Sequence, residues 1–211
     1  MKLAGYAIDR YQTASLEAVG RPRQFDEDLV LEAALDLFWR NGYEATSLRD
    51  LTEALGVAPT AIYRTFGDKH TLYLRALDRY VERETAAMGA CIGRSGSPIR
   101  AIASWLAAVT ADLCADPDGK GCFLVNAATE LGATDDETRS RARAAFAAIA
   151  AALETAIRRA QAADEARADL DPAAAAELVL AAVLGMRVRG RVDPDRAGSE
   201  ELVGLIVASL T

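Results

Sequence analysis

Along this chain, apolar residues return every three or four positions within long stretches, separated by short breaks rich in Gly, Pro, Asp and Ser. Val30, Ala33, Ala34, Leu37 and Phe38 fall at i, i+3, i+4, i+7 and i+8, one face of a helix, with Asp26 placed to cap its start and Gly42 to stop it. Thr46 is expected to cap a second, short helix whose inward stripe is Leu48, Leu51 and Leu55 and whose end is Gly56. A third begins at Pro59 and runs to about Thr65. Asp68 then opens a much longer helix, with Tyr73, Leu77, Tyr80 and Val81 on one face, reaching about Cys91.

The second half repeats the alternation with smaller side chains. Ser97-Pro98 opens a helix to about Ala115, Asp116 to Gly121 reads as a turn, and a short helix covers Cys122 to Glu130. Thr134 to Glu137 has the spacing of a capping box and opens an alanine-rich helix to about Ala163. Asp171-Pro172 starts another to about Arg189, and Ser199 starts the last, with Leu202, Leu205, Ile206 and Leu210 on one side. The pattern predicts an all-α protein of about nine helices. Residues 1–20 carry no such pattern and are expected to form a poorly ordered extension.

Composition sharpens the picture in two ways. Of 211 residues, 45 are alanine, so the 51% hydrophobic content overstates burial and favours helix instead. A formal charge of −7 and a pI near 4.9 argue against a chain that coats nucleic acid or anionic membrane over its whole surface. The start of the chain lacks an apolar signal segment. The longest apolar run, Ala173 to Met186, contains Glu177 and is shorter than the roughly 20 residues that span a bilayer. A cytoplasmic protein without membrane partners is expected.

Candidate chemistry is sparse. Cys91, Cys114 and Cys122 form no CxxC pair, and their odd number suits a reducing compartment. His70 is the one histidine, so multi-histidine metal sites are excluded and no metal or cofactor is expected. Asp116 to Gly121 begins like a calcium loop, but the closing position, Ala127, is no carboxylate. An enzyme with Cys122 as nucleophile would lack an evident base.

The first three helices are the informative ones. A helix, a Gly-containing turn and a second short helix, packed by a preceding amphipathic helix, make a helix-turn-helix, whose second helix fits a major groove about 12 Å wide. Residues 21 to about 83 resemble the TetR family of bacterial transcriptional regulators. The resemblance rests on Leu37-Phe38, Asn41-Gly42-Tyr43, Thr46-Ser47-Leu48, Leu51, Leu55-Gly56-Val57, Ile62 to Phe66, and Lys69.

That resemblance implies a helix-turn-helix domain over residues 21–70 and a larger helical ligand-binding and dimerisation domain over 71–211. It also implies a homodimer that binds a double-stranded, palindromic operator and releases it on binding a small-molecule effector. Pro59, Thr60, Ala61, Tyr63, Arg64 and Thr65 would then face DNA while Val57, Ile62 and Phe66 face the core. Arg64 suits bidentate reading of guanine, Tyr63 and Lys69 suit phosphates, and Thr46, Ser47 and Arg49 suit the backbone or an adjacent base edge. Arg21 and Arg23 look like a minor-groove arm. The plainer alternatives are a half-buried Tyr63, a solvated Lys69, an Arg64 paired with Asp68, and a His70 that is simply a surface residue.

For the second domain, Met88, Trp105, Leu106, Phe123 and Phe146 are the large side chains available to line a cavity for an apolar molecule, or to fill an ordinary core. Cys122, in a Gly121-Cys-Phe-Leu-Val-Asn126 segment that, with Glu130 four residues later, is similar to one in some family members, is either an inert buried thiol or a sensor of electrophiles. Leu178, Ala182, Gly185, Leu202, Leu205, Ile206 and Leu210 are the candidate dimer residues. The competing function is a helical interaction protein that has lost DNA binding. Charge divides unevenly: residues 21–83 hold 9 basic and 11 acidic side chains, residues 84–211 hold 13 and 18. Attraction to DNA must therefore come from placement, with the carboxylates of the head lying elsewhere.

Overall fold

In the computed structural model, residues 26–94, 96–116, 118–193 and 200–211 are described; Arg21 and Arg23 fall outside them. Nine helices and no strand occur among these residues: α1 (Glu27–Asn41), α2 (Leu48–Leu55), α3 (Pro59–Phe66), α4 (Lys69–Ile92), α5 (Pro98–Cys114), α6 (Phe123–Glu130), α7 (Asp136–Ala162), α8 (Pro172–Gly190) and α9 (Glu200–Ala208). The expected boundary at residue 70 lies in the first turn of α4, which runs unbroken from the helix-turn-helix into the larger helical body.

Helix starts follow from side-chain caps. The Asp26 carboxylate accepts the Asp28 and Leu29 amides at 3.1 and 3.3 Å, and the Asp68 carboxylate accepts the Thr71 amide at 2.7 Å. Two caps differ from expectation by one residue. Ser47, not Thr46, caps α2, in a reciprocal box with Asp50. Thr46 is fully buried instead, and its hydroxyl donates to the Gly42 carbonyl at 2.7 Å, as a buried hydroxyl must find an acceptor. Likewise Asp135, not Thr134, caps α7, accepting the Thr138 amide at 2.9 Å. In the α5–α6 turn, Gly119 and Gly121 take left-handed φ values of 61° and 66°, and the Asp116 carboxylate accepts the Gly121 amide.

Two hydrophobic cores form. The first joins α1, α2, α3 and the first half of α4 to α6 and the start of α7, with Phe38, Leu51, Ile62, Tyr73, Tyr80 and Phe123 almost fully buried. In α1 the buried stripe is Val30, Leu31, Ala34, Leu35 and Phe38, while Ala33 and Leu37 are half-buried. The second core collects the end of α4 with α5, α7, α8 and α9 around Ile102, Leu106, Leu153, Ile157 and Val179. Phe146 and Leu184 pack against both.

Candidate nucleic-acid interface and internal cavity

Helix α3 has two unlike faces. Ile62 and Phe66, four residues apart, are buried, and the Arg75 guanidinium covers the Phe66 ring at 4.7 Å. Pro59, Thr60, Tyr63 and Arg64 are exposed, and Ala61 and Thr65 are half-exposed at the edges. Tyr63 is 47% exposed, so it is not a core aromatic. Arg64 forms no ion pair among the described residues, since the Asp68 carboxylate is occupied as the cap of α4. The outward row Thr60, Tyr63 and Arg64 therefore offers a hydroxyl, a phenol and a guanidinium to whatever docks there.

Around this row, placement is mixed. Ser47 and Arg49 are exposed on α2, but Arg49 Nε lies 2.7 Å from the Glu53 carboxylate, one turn further along the same helix. A carboxylate thus stands against one of the candidate cations, contrary to the expectation that the head's acids lie elsewhere. Three others, Glu27, Asp28 and Glu32 on α1, pair with Arg75, Arg79 and Arg83 of α4. Thr46, being buried, presents no surface to a duplex.

Lys69 opens α4 with its ammonium 4.1 Å above the Tyr43 ring, half-buried rather than fully solvated. His70 is also no simple surface residue. Its Nε2 stands 3.2 Å from Asp135 and Nδ1 3.7 Å from Glu137, tying the start of α4 to the start of α7. Partial burial pushes the Asp135 carboxyl upward, but bonds from Thr138 and His70 outweigh it and hold the group down to about 2.

A cavity of about 60 Å³ lies between α4, α5, α6, α7 and α8, where the two cores meet. Met88, Trp105, Cys122 and Phe146 line it. Leu106 and Phe123 do not: Leu106 is sealed in the second core, and Phe123 packs edge-on against Tyr73 and Tyr80 at 5.7 and 5.8 Å. One corner is polar. The Tyr80 hydroxyl donates to Cys122 Sγ at 3.3 Å, and Arg187 enters with only 11% of its side chain exposed, 3.6 Å from Glu84 and 3.8 Å from Asp112. Both separations exceed hydrogen-bond length. Burial pushes the Glu84 and Asp112 carboxyls up, against the pull of Arg187. Nothing local in the sequence links Glu84, Asp112 and Arg187, which are assembled only by the packing of α4, α5 and α8.

The last two helices divide the remaining candidates. Leu178 and Leu205 are 60% and 70% exposed, and a Cβ on Gly185 would meet nothing within 4 Å. Ala182 and Leu202 are half-buried. Ile206 and Leu210 are buried within their own chain, in the second core, so they are not on the open face. Val188, missed from sequence, joins Leu178, Ala181 and Gly185 at alternating steps of three and four along α8, and Val192 is exposed just beyond its end. A helix apolar all round, buried on one side only, leaves that second face without a cover.

Among the described residues, no helix is long and apolar enough to cross a membrane, and no group of three or more metal-ligating side chains could hold an ion.

Comparison with known proteins bears directly on this arrangement. Residues 30–76 match the family described as bacterial regulatory proteins, tetR family, and residues 99–204 match the tetracyclin repressor-like C-terminal domain. The transcriptional repressor ComR of Escherichia coli is 32% identical over 173 residues, 82% of each chain. Among solved structures, a TetR-family regulator, CifR, in complex with 26-base-pair double-stranded operator DNA superposes with a TM-score of 0.79 at 28% identity, over 91% of this chain and all of that one. A TetR-family regulator from Cytophaga hutchinsonii gives 0.75 at 26% identity, over 87% and 93% of the two chains.

Proposed function

The chain belongs to the tetR family of bacterial regulatory proteins, and from that premise we propose that it is a cytoplasmic, homodimeric repressor released from a palindromic operator by a small molecule. The outward row of α3 carries the reading: Thr60, Tyr63 and Arg64 stand exposed on a helix whose opposite side is locked into the first core. Arg64 reads guanine, Tyr63 and Lys69 hold phosphates, the latter beside the free amides of α4, and Ser47 and Arg49 flank them on the backbone. Arg49 exchanges Glu53 for a phosphate as it docks. Pairing of two copies through Leu178, Gly185, Val188 and Leu205 spaces the two α3 helices for successive half-sites.

The cavity takes the effector. Its walls are apolar, and its polar corner already sets the Arg187 guanidinium against the Glu84 carboxylate, with Asp112 behind Arg187 outside the lining, so an uncharged molecule with one acceptor oxygen toward Arg187 fits better than an acid. The ligand acts by preferring a conformation in which the reading helices are wrongly spaced. Selection of bound sequences from a random duplex library tests the main reading. A two-fold symmetric sequence is expected to be enriched, and absence of any palindrome overturns it.

A second reading is favoured by one observation: Cys122 lies on the cavity wall beside the Tyr80 hydroxyl, where an electrophile in the cavity would meet its sulfur. Cys122→Ser decides between the two. A thiol that is only structural leaves release by every effective compound intact. Loss of release by thiol-reactive compounds alone makes Cys122 the sensor.

A further inference from the structure

Glu130, the last residue of α6, lies neither on the reading face nor on the cavity wall, yet it makes the most specific contact between the body of the molecule and the helix-turn-helix. Its Oε2 accepts the Tyr43 amide at 3.1 Å and its Oε1 accepts the Glu44 amide at 2.9 Å. Both carboxylate oxygens are thus used on two successive backbone donors in the connection between α1 and α2. Hydrogen bonds to an ionised acceptor are shorter and stronger than neutral ones, and two in parallel fix direction as well as distance.

Gly42 shows how closely the fit is made. It has a φ of 83°, which disfavours any side chain, and a Cβ built there would fall 2.8 Å from Glu130 Oε2. Backbone conformation and carboxylate therefore require the same glycine. At the other end of the same eight-residue helix, Cys122, Leu124 and Val125 form part of the cavity wall. One rigid element thus spans from the cavity to the connection that orients α2 and α3.

The contacts on either side continue this strap. Before α6, Lys120 pairs with Asp36 at 3.1 Å and Trp39 Nε1 donates to the Gly121 carbonyl at 3.0 Å, both on α1; Arg40 pairs with Asp118. After α6, Asp135 meets His70 on α4. Residues 118–137 therefore hold the head at α1, at the α1–α2 connection and at α4. Of the three, the grip by Glu130 is on backbone, so it reports and sets the path of the chain itself.

We infer that Glu130 is a positioning residue for DNA binding: its carboxylate, through the Tyr43 and Glu44 amides, sets the orientation of the helix-turn-helix relative to α6. The inference rests on the reading of α3 as the DNA-contacting helix. It assigns no DNA contact to Glu130 itself.

The test is Glu130→Gln in the full chain, on the operator obtained by library selection. The amide keeps the volume but turns a donor toward one of the two backbone donors. Operator affinity is expected to fall about tenfold, with the salt slope, the affinity for random duplex and the melting temperature unchanged, since no phosphate contact is removed. Hydrogen exchange at the Tyr43 and Glu44 amides is expected to quicken in the DNA-free protein. Gly42→Ala should also lose operator affinity, with a lower melting temperature because of its left-handed backbone, and adding Glu130→Gln to it should lose little further affinity. For Glu130→Gln alone, operator affinity within twofold of the parent overturns the inference, as does an equal loss on operator and random duplex with a lower melting temperature. Unchanged exchange at both amides also overturns it. If the parent protein selects no operator, the reading of α3 has failed instead, and the exchange measurement still decides whether the grip exists.

Discussion

The two cores of this protein are built from different materials. Around the helix-turn-helix, Phe38, Tyr43, Tyr73, Tyr80, Trp39 and Phe123 interlock with ring centroids 4.9 to 6.3 Å apart, edge to face except for the stacked Phe38–Tyr43 and tilted Tyr43–Tyr73 pairs. Around α5, α7, α8 and α9 the buried side chains are aliphatic apart from Trp105, with alanines no more frequent than in the first core. Large rings in fixed edge-to-face geometry hold each other's rotamers, which suits a head that must present α3 at one angle. Aliphatic side chains pack without that mutual orientation, and the cavity lies at the seam where one kind of packing gives way to the other.

The sharpest way to break this division is to attack the open face of the body and read the effect at the head. Leu178→Asp together with Leu205→Asp should leave a folded monomer. Linked half-site binding is worth roughly 10²–10⁴ in affinity, so operator binding should fall by about that factor while helicity is kept. Analytical ultracentrifugation alongside a binding titration checks both parts. A dimer that persists with both aspartates in place would move the interface elsewhere.

Next in size is a contrast of packing. Phe38→Ala removes a fully buried ring from the aromatic core and should cost about 3–5 kcal/mol, whereas Met88→Leu on the cavity wall should cost under about 1.5 kcal/mol. Denaturant titration of both variants measures the difference. Equal costs would mean that the body is packed as tightly as the head.

Within the head, the two cations on and beside α3 should separate by kind of effect. Arg64→Ala should weaken operator binding roughly 10- to 100-fold, the ~1–3 kcal/mol of one bidentate base contact, and leave random duplex nearly untouched. Lys69→Ala should lower affinity for all sequences alike and reduce the salt slope by about one. Equal loss on both DNAs for Arg64→Ala would make it a phosphate contact.

These contrasts follow the line between what local pattern encodes and what only packing assembles. The helices, their breaks and the outward row of α3 are legible because period 3.6 and cap chemistry are local. The slips at Thr46 and Thr134 are local too: Thr-Ser and Thr-Asp each offer two adjacent side chains able to cap, and burial of Thr46 decided one case while Asp135 took the other. Ile206 and Leu210 could not be assigned from pattern, because an apolar stripe does not say whether its cover is its own chain or another copy. Glu84 and Arg187 look like ordinary surface charges in sequence, and Glu130 stands out there only as the end of a segment similar to one in some family members. Their roles depend on partners more than 80 residues away, or on three helices meeting at one corner.

The smallest expected effects are in acid, where head and body should respond with opposite sign. Asp135 joins the head to α7, faced by His70 from α4 and with Glu137 beside it, and is held down to about 2 against an ordinary value near 3.8. A carboxyl lowered in the folded state contributes stability that is present above the unfolded value and lost as pH falls through the folded one. That loss belongs between about pH 4 and pH 2. Glu84, at the cavity corner with Arg187 and Asp112, is raised by burial, so its contribution is fully present below the unfolded value and lost as pH rises through the raised one. Asp135→Asn should therefore flatten the acid limb of a stability profile, and Glu84→Gln should remove the decline on its neutral side. Acid limbs that coincide for Asp135→Asn and the parent would show that the junction at His70 does not bear on stability.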